Sequence, residues 1–325
     1  MSIDYVAVVA VTICIYATLV VSLNLVTGFA GQPNLGQSAF FGIGAYVAAV
    51  ASVSDGWSFW ATIPVAVAAA GCAGLVLGGI SLRLRDDFLA ITTIGLNFVV
   101  VAMFQYVPFF GGAMGIYAIP LPTIGSHTFG NLDFLAVGLV MVAVVTALSL
   151  YLQRTWFGAA LIAIRDDELA AAATGIPVAP YKVGAFALSA ALAGLAGSLY
   201  APFISAVTPT SFGFSESVVI LAMLMLGGVG SVLGALVGAV ILGALPEVFR
   251  VVSDYRLLMF GLVLVLVLRF APFGLTGIPR ALVAARRTSP SIGHVAAGGL
   301  APGNEGAAGH RDAGDVGSGR SDGPT

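Results

Sequence analysis

The residues with chemical potential in this chain are few, and they gather in two kinds of place. One is a charged run, Arg165-Asp166-Asp167-Glu168, with an echo at Arg85-Asp86-Asp87. The other is a pair of glycine-punctuated polar stretches, Gly31-Gln32-Pro33-Asn34-Leu35-Gly36-Gln37 and Gly227-Gly228-Val229-Gly230-Ser231. Neither has the form of a catalytic centre, and HExxH and GxSxG arrangements are absent. Lys182 is the one lysine and follows Tyr181, so the chain carries no GxxxxGK[ST] phosphate-binding loop. His127, His294 and His310 have no carboxylate arranged beside them as an intramembrane partner. Cys14 and Cys72 have neither CxxC spacing nor a neighbouring histidine pair, and read as small buried core residues. The chain is therefore expected to be no enzyme, to hold no metal and to use no cofactor of its own.

Of the 325 residues, 59% are hydrophobic and 9% charged, and the mean hydropathy is +1.03. Soluble domains carry about 25% charged residues, so this is an integral membrane protein. No basic stripe marks a nucleic-acid surface. Apart from Glu216 and Arg269 at segment ends, the apolar runs hold no ionisable residue in their middles. Proton- and ion-coupled transporters need such groups, so a transporter of this composition draws its energy from another subunit. Asn24, Asn97 and Gln105 either line a polar path or hydrogen-bond between helices. Glu216 either touches a solute or marks a membrane boundary.

The elements that must position these groups follow from the apolar runs. Residues 3–26, 59–82, 88–107, 132–152 and 183–201 are long enough to cross a bilayer. The first run follows no basic n-region and is expected to remain as a span. Residues 39–53 are short for a crossing, 218–245 are cut by the second glycine stretch, and 257–270 form the last apolar run. Residues 108–130 read as an extramembrane loop holding His127. Residues 190–201 are dense in alanine and glycine, which suits close helix packing.

Between two spans lies a short helix, expected over about 166–174, within a region of 164–176. Asp166 is its expected N-cap, with Asp167 and Glu168 in the first turn, Gly175 in a left-handed cap and Pro177 blocking continuation. At 1.5 Å per residue it is about 13 Å long, under half a bilayer.

Charge placement tests the topology. With Arg83 and Arg85 inside, Arg154, Arg165 and Lys182 also fall inside. If residues 218–245 crossed once, Arg280, Arg286 and Arg287 would lie outside, against the bias of basic residues to the cytoplasm. The backbone is therefore predicted to break and return at 227–231. Paired interrupted segments in the two halves point to a transport pathway, unless the glycines serve tight packing alone.

In their order, these blocks resemble the LivM-type permease subunits of branched-chain amino acid ABC importers. The resemblance rests on TGFAGQPNLGQSAFFGIGAY, LRLRDDFLAITTIG, FGGAMGIYAIP, IRDDELAAAATGIPVAPYKVGAFALSAALAGLAGSLYAP and LGGVGSVLGALVGAVILGALPEVFR. It spans residues 24–278 and departs at Asp86, where glycine is common, at Phe110, where threonine is common, and at the valines of the 91–107 span.

The resemblance implies an all-α, multi-span helical bundle with broken or re-entrant helices and a cytoplasmic coupling helix. A permease domain of residues 1–283 would be followed by a disordered, Gly/Ala/Ser-rich cytoplasmic tail, 284–325. It would sit in the lipid of a bacterial inner membrane with a homologous LivH-type permease, two LivG/LivF-type ATP-binding subunits and an extracytoplasmic solute-binding protein. The solute would be a branched-chain or similar neutral amino acid. Urea or a short amide is the alternative, and an ATPase-independent channel is the alternative of another class. Arg165, Asp166, Asp167, Glu168, Ala171 and Gly175 would contact the ATPase. Gly31, Gln32, Asn34, Gly36 and Gln37, with Gly227, Gly228, Gly230 and Ser231, would form the pathway.

Overall fold

A computed structural model describes residues 3–84, 86–124, 127–248 and 261. The last apolar run, apart from Gly261, and the tail from 284 onward lie outside them.

The first helix, α1 (Ile3–Leu23), continues into a π-helical stretch, Asn24–Phe29. Together they supply the 26-residue apolar segment Asp4–Phe29, about 39 Å at 1.5 Å per residue and ample for a crossing. Residues 30–36 are non-helical, and α2 (Gln37–Val53) is too short to be counted among the spans. The chain then runs through α3 (Phe59–Ser81) and α4 (Asp86–Tyr106). After the 107–130 connection come α5 (Asn131–Arg154), the short helices α6 (Trp156–Asp166) and α7 (Glu168–Ala173), and α8 (Val178–Ile204). The described chain ends with α9 (Phe214–Gly227) and α10 (Val232–Val248). Among the described residues, six helical segments are long and apolar enough to cross a membrane. The fold is all-α and multi-span.

Among the described residues, four two-residue strands fasten one end of the bundle. β1 (Ile116–Tyr117) pairs antiparallel with β4 (Ala206–Val207), tying the long connection to the end of α8. β2 (Thr123–Ile124) pairs with β3 (His127–Thr128), and His127 Nε2 lies 2.9 Å from Asp133 Oδ2 at the start of α5. The opposite end gathers Arg83, Arg154, Arg165 and Lys182 and is called the basic end below.

Lipid tails provide no hydrophobic drive for helix association, so contact must come from close packing of small side chains. α8 sits between α3 and α2, and its seams are built of glycine and alanine. A β-carbon added at Gly194 would meet the Ala70 side chain and Ala66 carbonyl of α3, while one at Gly44 of α2 would meet the backbone of Gly194 itself. Gly74 of α3 similarly faces Ala190 and the Phe186 carbonyl. The contact order, with 74 beside 190 and 70 beside 194, makes α3 and α8 antiparallel.

Three sequence readings change in the structure. Asp167, not Asp166, caps the short helix: its Oδ1 accepts the Ala170 N–H at 2.9 Å. The chain is extended at Asp167 (φ −158°, ψ 110°), so Asp166 becomes the last residue of α6 and the short helix starts at Glu168. Cys72 is exposed on α3 rather than buried, although Cys14 is buried. The interrupted segment at 218–245 is two helices, as the predicted break requires, and only its start moves, α9 beginning as early as Phe214.

The turn between α9 and α10 does return the chain. Gly228 and Gly230 take φ of +112° and +84°, a region open to glycine. Gly227 packs on Gly234, and Gly238 on Met223 and Gly227, the pattern of an antiparallel hairpin.

Candidate translocation and coupling site

Residues 30–36 run without regular structure through a packed apolar bundle, where every backbone polar group needs a partner. Asn34 supplies two of the bonds: its Oδ1 accepts the Gly36 N–H at 2.9 Å and its Nδ2 donates to Gln37 Oε1 at 2.9 Å. Gln37 Nε2 donates to Ser22 Oγ of α1 at 2.8 Å and to Ser189 Oγ of α8 at 3.3 Å. The Leu35 N–H donates to Thr93 Oγ1 of α4 at 3.0 Å.

Ser38 extends the network to the irregular approach to α9. Its N–H donates to Ser217 Oγ at 3.0 Å, and its Oγ donates to the Gly213 carbonyl at 3.1 Å. Asn97 Nδ2 donates to Ser38 Oγ at 2.6 Å and to the Phe212 carbonyl at 3.2 Å. Asn34, Gln37, Ser38, Asn97, Ser189 and Ser217 are all buried. The network joins α1, α2, α4, α8 and α9, and its bonds are buried except those at Leu35–Thr93 and Ser38–Gly213, which are partly buried. Gln37→Leu removes the side chain that bonds two other helices and leaves Asn34 Nδ2 without its acceptor. It is expected to cost about 1–3 kcal/mol, read as a lower Tm of the detergent-solubilised protein.

A second junction lies at the basic end, where both interrupted segments meet the end of α6. Asn24 Oδ1 accepts the Gly230 N–H at 2.8 Å. Arg165 Nη1 donates to the Gly28 carbonyl at 2.6 Å. A β-carbon at Gly31 would strike the Arg165 stem, and one at Gly230 would strike its guanidinium. One arginine thus lies across both breaks, and it is the penultimate residue of α6.

The residues expected to form the pathway divide among three settings. Asn34, Gly36 and Gln37 belong to the buried network, while Gly31 and Gly230 border Arg165. Gly227, Gly228 and Ser231 build the hairpin, where Ser231 Oγ accepts the Gly234 N–H at 3.1 Å. Gln32 is buried, and its Oε1, like Asn24 Nδ2 and Asn97 Oδ1, has no partner among the described residues. Polar capacity therefore remains along this route.

The coupling residues also divide. Asp166 and Gly175 are exposed, the latter at φ +88°. Glu168 Oε2 accepts from Lys182 Nζ at 2.6 Å, pinning α7 to a buried lysine of α8. Ala171 is buried against the protein itself. The outward face of α7 belongs instead to Leu169, 83% exposed. The sequence reading passed over Leu169, although a leucine out of phase with Ala171 on a helix too short to span was its signal.

The family model described as "Branched-chain amino acid transport system / permease component" matches residues 5–268. This chain belongs to that family. It is a multi-pass membrane permease subunit, a transporter component. The high-affinity branched-chain amino acid permease protein LivM of Escherichia coli K12 is 36% identical, aligned over 84% of this chain and 70% of that protein. Relatives from Methanocaldococcus jannaschii include a probable LivH permease, 28% identical over 81% of this chain and 90% of its own. The probable LivM permease of the same organism is 24% identical over 85% and 94%. Both permease types of such systems are thus similar to this one. No solved structure matches the chain.

Proposed function

We propose that this permease carries branched-chain amino acids across a bacterial inner membrane by alternating access, as one of two homologous permease subunits driven by separate ATP-binding subunits. The observation that carries the energetic half is the basic-end junction: a short helix presents Leu169 outward while Arg165, just before it, contacts both backbone breaks. The chain has no phosphate-binding loop, so force must enter from a partner, and this is the place built to receive it. The bias of arginine and lysine to the cytoplasm places the basic end inside, with α7 docking in an ATPase groove and the 284–325 tail on the same side.

The likeness to branched-chain amino acid permeases supports the solute class over urea, short amides or an ATPase-independent channel. A solute-binding protein outside would deliver the amino acid. The two interrupted segments would form the moving walls of the pathway, Gly31 to Gln37 on one side and Gly227 to Ser231 on the other.

The test is co-expression with a LivH-type permease, two ATP-binding subunits and the binding protein, followed by leucine uptake into proteoliposomes. Uptake is expected only with ATP. ATP-independent flux, or import of urea but not leucine, would overturn the proposal. Leu169→Glu, which touches nothing else in the chain's core, is expected to release the ATPases during purification and lower uptake by about tenfold, the factor 1.4 kcal/mol of lost affinity produces.

A further inference from the structure

A cavity of about 310 Å³ lies between the middle of α1, the start of α2, the end of α8 and the first turn of α9. Its walls include Tyr16, Phe41, Tyr200, Phe203, Ser211 and Glu216. We propose that it is a transit site for a primary ammonium group carried on a small apolar body, with Glu216 as the counter-charge. An amino acid presents that ammonium group, so the assignment rests on the solute class proposed above.

Three observations support it. Glu216 is a carboxylate set in an apolar span, a costly placement that marks function by default. The Tyr16 hydroxyl donates to it, yet among the described residues no lysine or arginine pairs with it; the ion pairs there are His127–Asp133 and Lys182–Glu168. Much of the remaining wall is aromatic or aliphatic, from Phe41, Tyr200, Phe203, Ile15 and Ile204. Phe41 packs edge-on against Tyr200 with centroids 5.1 Å apart, and such faces attract an ammonium as well as an aliphatic side chain.

The third observation is the wall itself. Pro209–Phe212 is a 3-10 turn running into α9, and irregular backbone at membrane depth is tolerated where it borders a cavity. The buried network at Ser38, Asn97 and Ser217 holds this turn in place, so the cavity wall is fastened to the first interrupted segment. Small-molecule pockets run from about 300 to 1,000 Å³. This one is at the small end and suits a single amino acid.

The experiment uses the complete importer in proteoliposomes with radiolabelled leucine. Glu216→Gln is expected to raise the KM for uptake about tenfold or more, the factor that 1.4 kcal/mol corresponds to, and Glu216→Asp to recover part of it. A second reading is independent of assembly yield. Ser211→Cys should react with a cationic methanethiosulfonate reagent, and leucine should slow that reaction. Wild-type uptake of leucine with an unchanged KM for Glu216→Gln, or labelling of Ser211→Cys that leucine does not slow, would overturn the assignment and leave a packing space or a lipid-filled cleft. If the wild-type complex imports no branched-chain amino acid, the functional proposal itself fails, and this assignment with it.

Discussion

Arg165→Met is expected to lower ATP-driven leucine uptake by about 10- to 100-fold while the complex still assembles. The side chain makes one charge-assisted hydrogen bond, Nη1 to the Gly28 carbonyl at 2.6 Å, and bonds to charged groups are worth about 1.5–3 kcal/mol. Each 1.4 kcal/mol is a factor of ten, which sets the range. Methionine keeps an unbranched stem beside Gly31 and removes the guanidinium that abuts Gly230. The variant therefore tests the charged contact and leaves the packing largely intact. Arg165→Lys can still donate to the Gly28 carbonyl and is expected to recover part of the uptake. The readout that separates coupling from simple damage is the ratio of leucine imported to ATP hydrolysed. Loss of the link should lower that ratio while hydrolysis continues. A variant with unchanged uptake and ratio would show that α6 ends near the breaks without acting on them.

The helices and their apolar character were legible in the sequence because membrane-length runs and glycine interruptions are local signals. The return at 227–231 was legible for a different reason, since three arginines near the C-terminus made a single crossing costly. The partners of Gln37 and Asn97 were not legible. Their bonds join residues 15, 152, 59 and 115 positions apart, and no spacing rule encodes such distances. The cap of α7 was misplaced by one residue because Asp166 and Asp167 are equivalent by propensity. What separates them is the extended backbone at Asp167, which depends on how α6 ends. The role of Arg165 was half legible. Its charge suggested a cytoplasmic contact surface, whereas its reach across two breaks in the same chain is a tertiary fact. Leu169 was hidden by the charges around it.

Gly194→Leu is expected to eliminate folded protein, because this glycine has neighbours on two sides. Even one added carbon would lie against the Ala70 side chain and the Ala66 carbonyl of α3, and the backbone of Gly194 already serves as the surface on which Gly44 of α2 rests. Overpacking a well-filled site costs about 1–3 kcal/mol when side chains can yield, and here the opposing atoms include backbone that cannot change rotamer. α8 would have to part from α3 or α2, and the hydrogen bond from Gln37 on α2 to Ser189 on α8 would stretch with it. The same change at Gly79 on α3, where an added β-carbon meets nothing within 4 Å, should leave the yield of monodisperse protein unchanged. Gly194→Ala should fall between them, with reduced yield and a lower Tm. If Gly194→Leu gives as much monodisperse permease as Gly79→Leu, the small-residue seam does not set the helix spacing, and α3 and α8 are held at their separation by the residues beyond it.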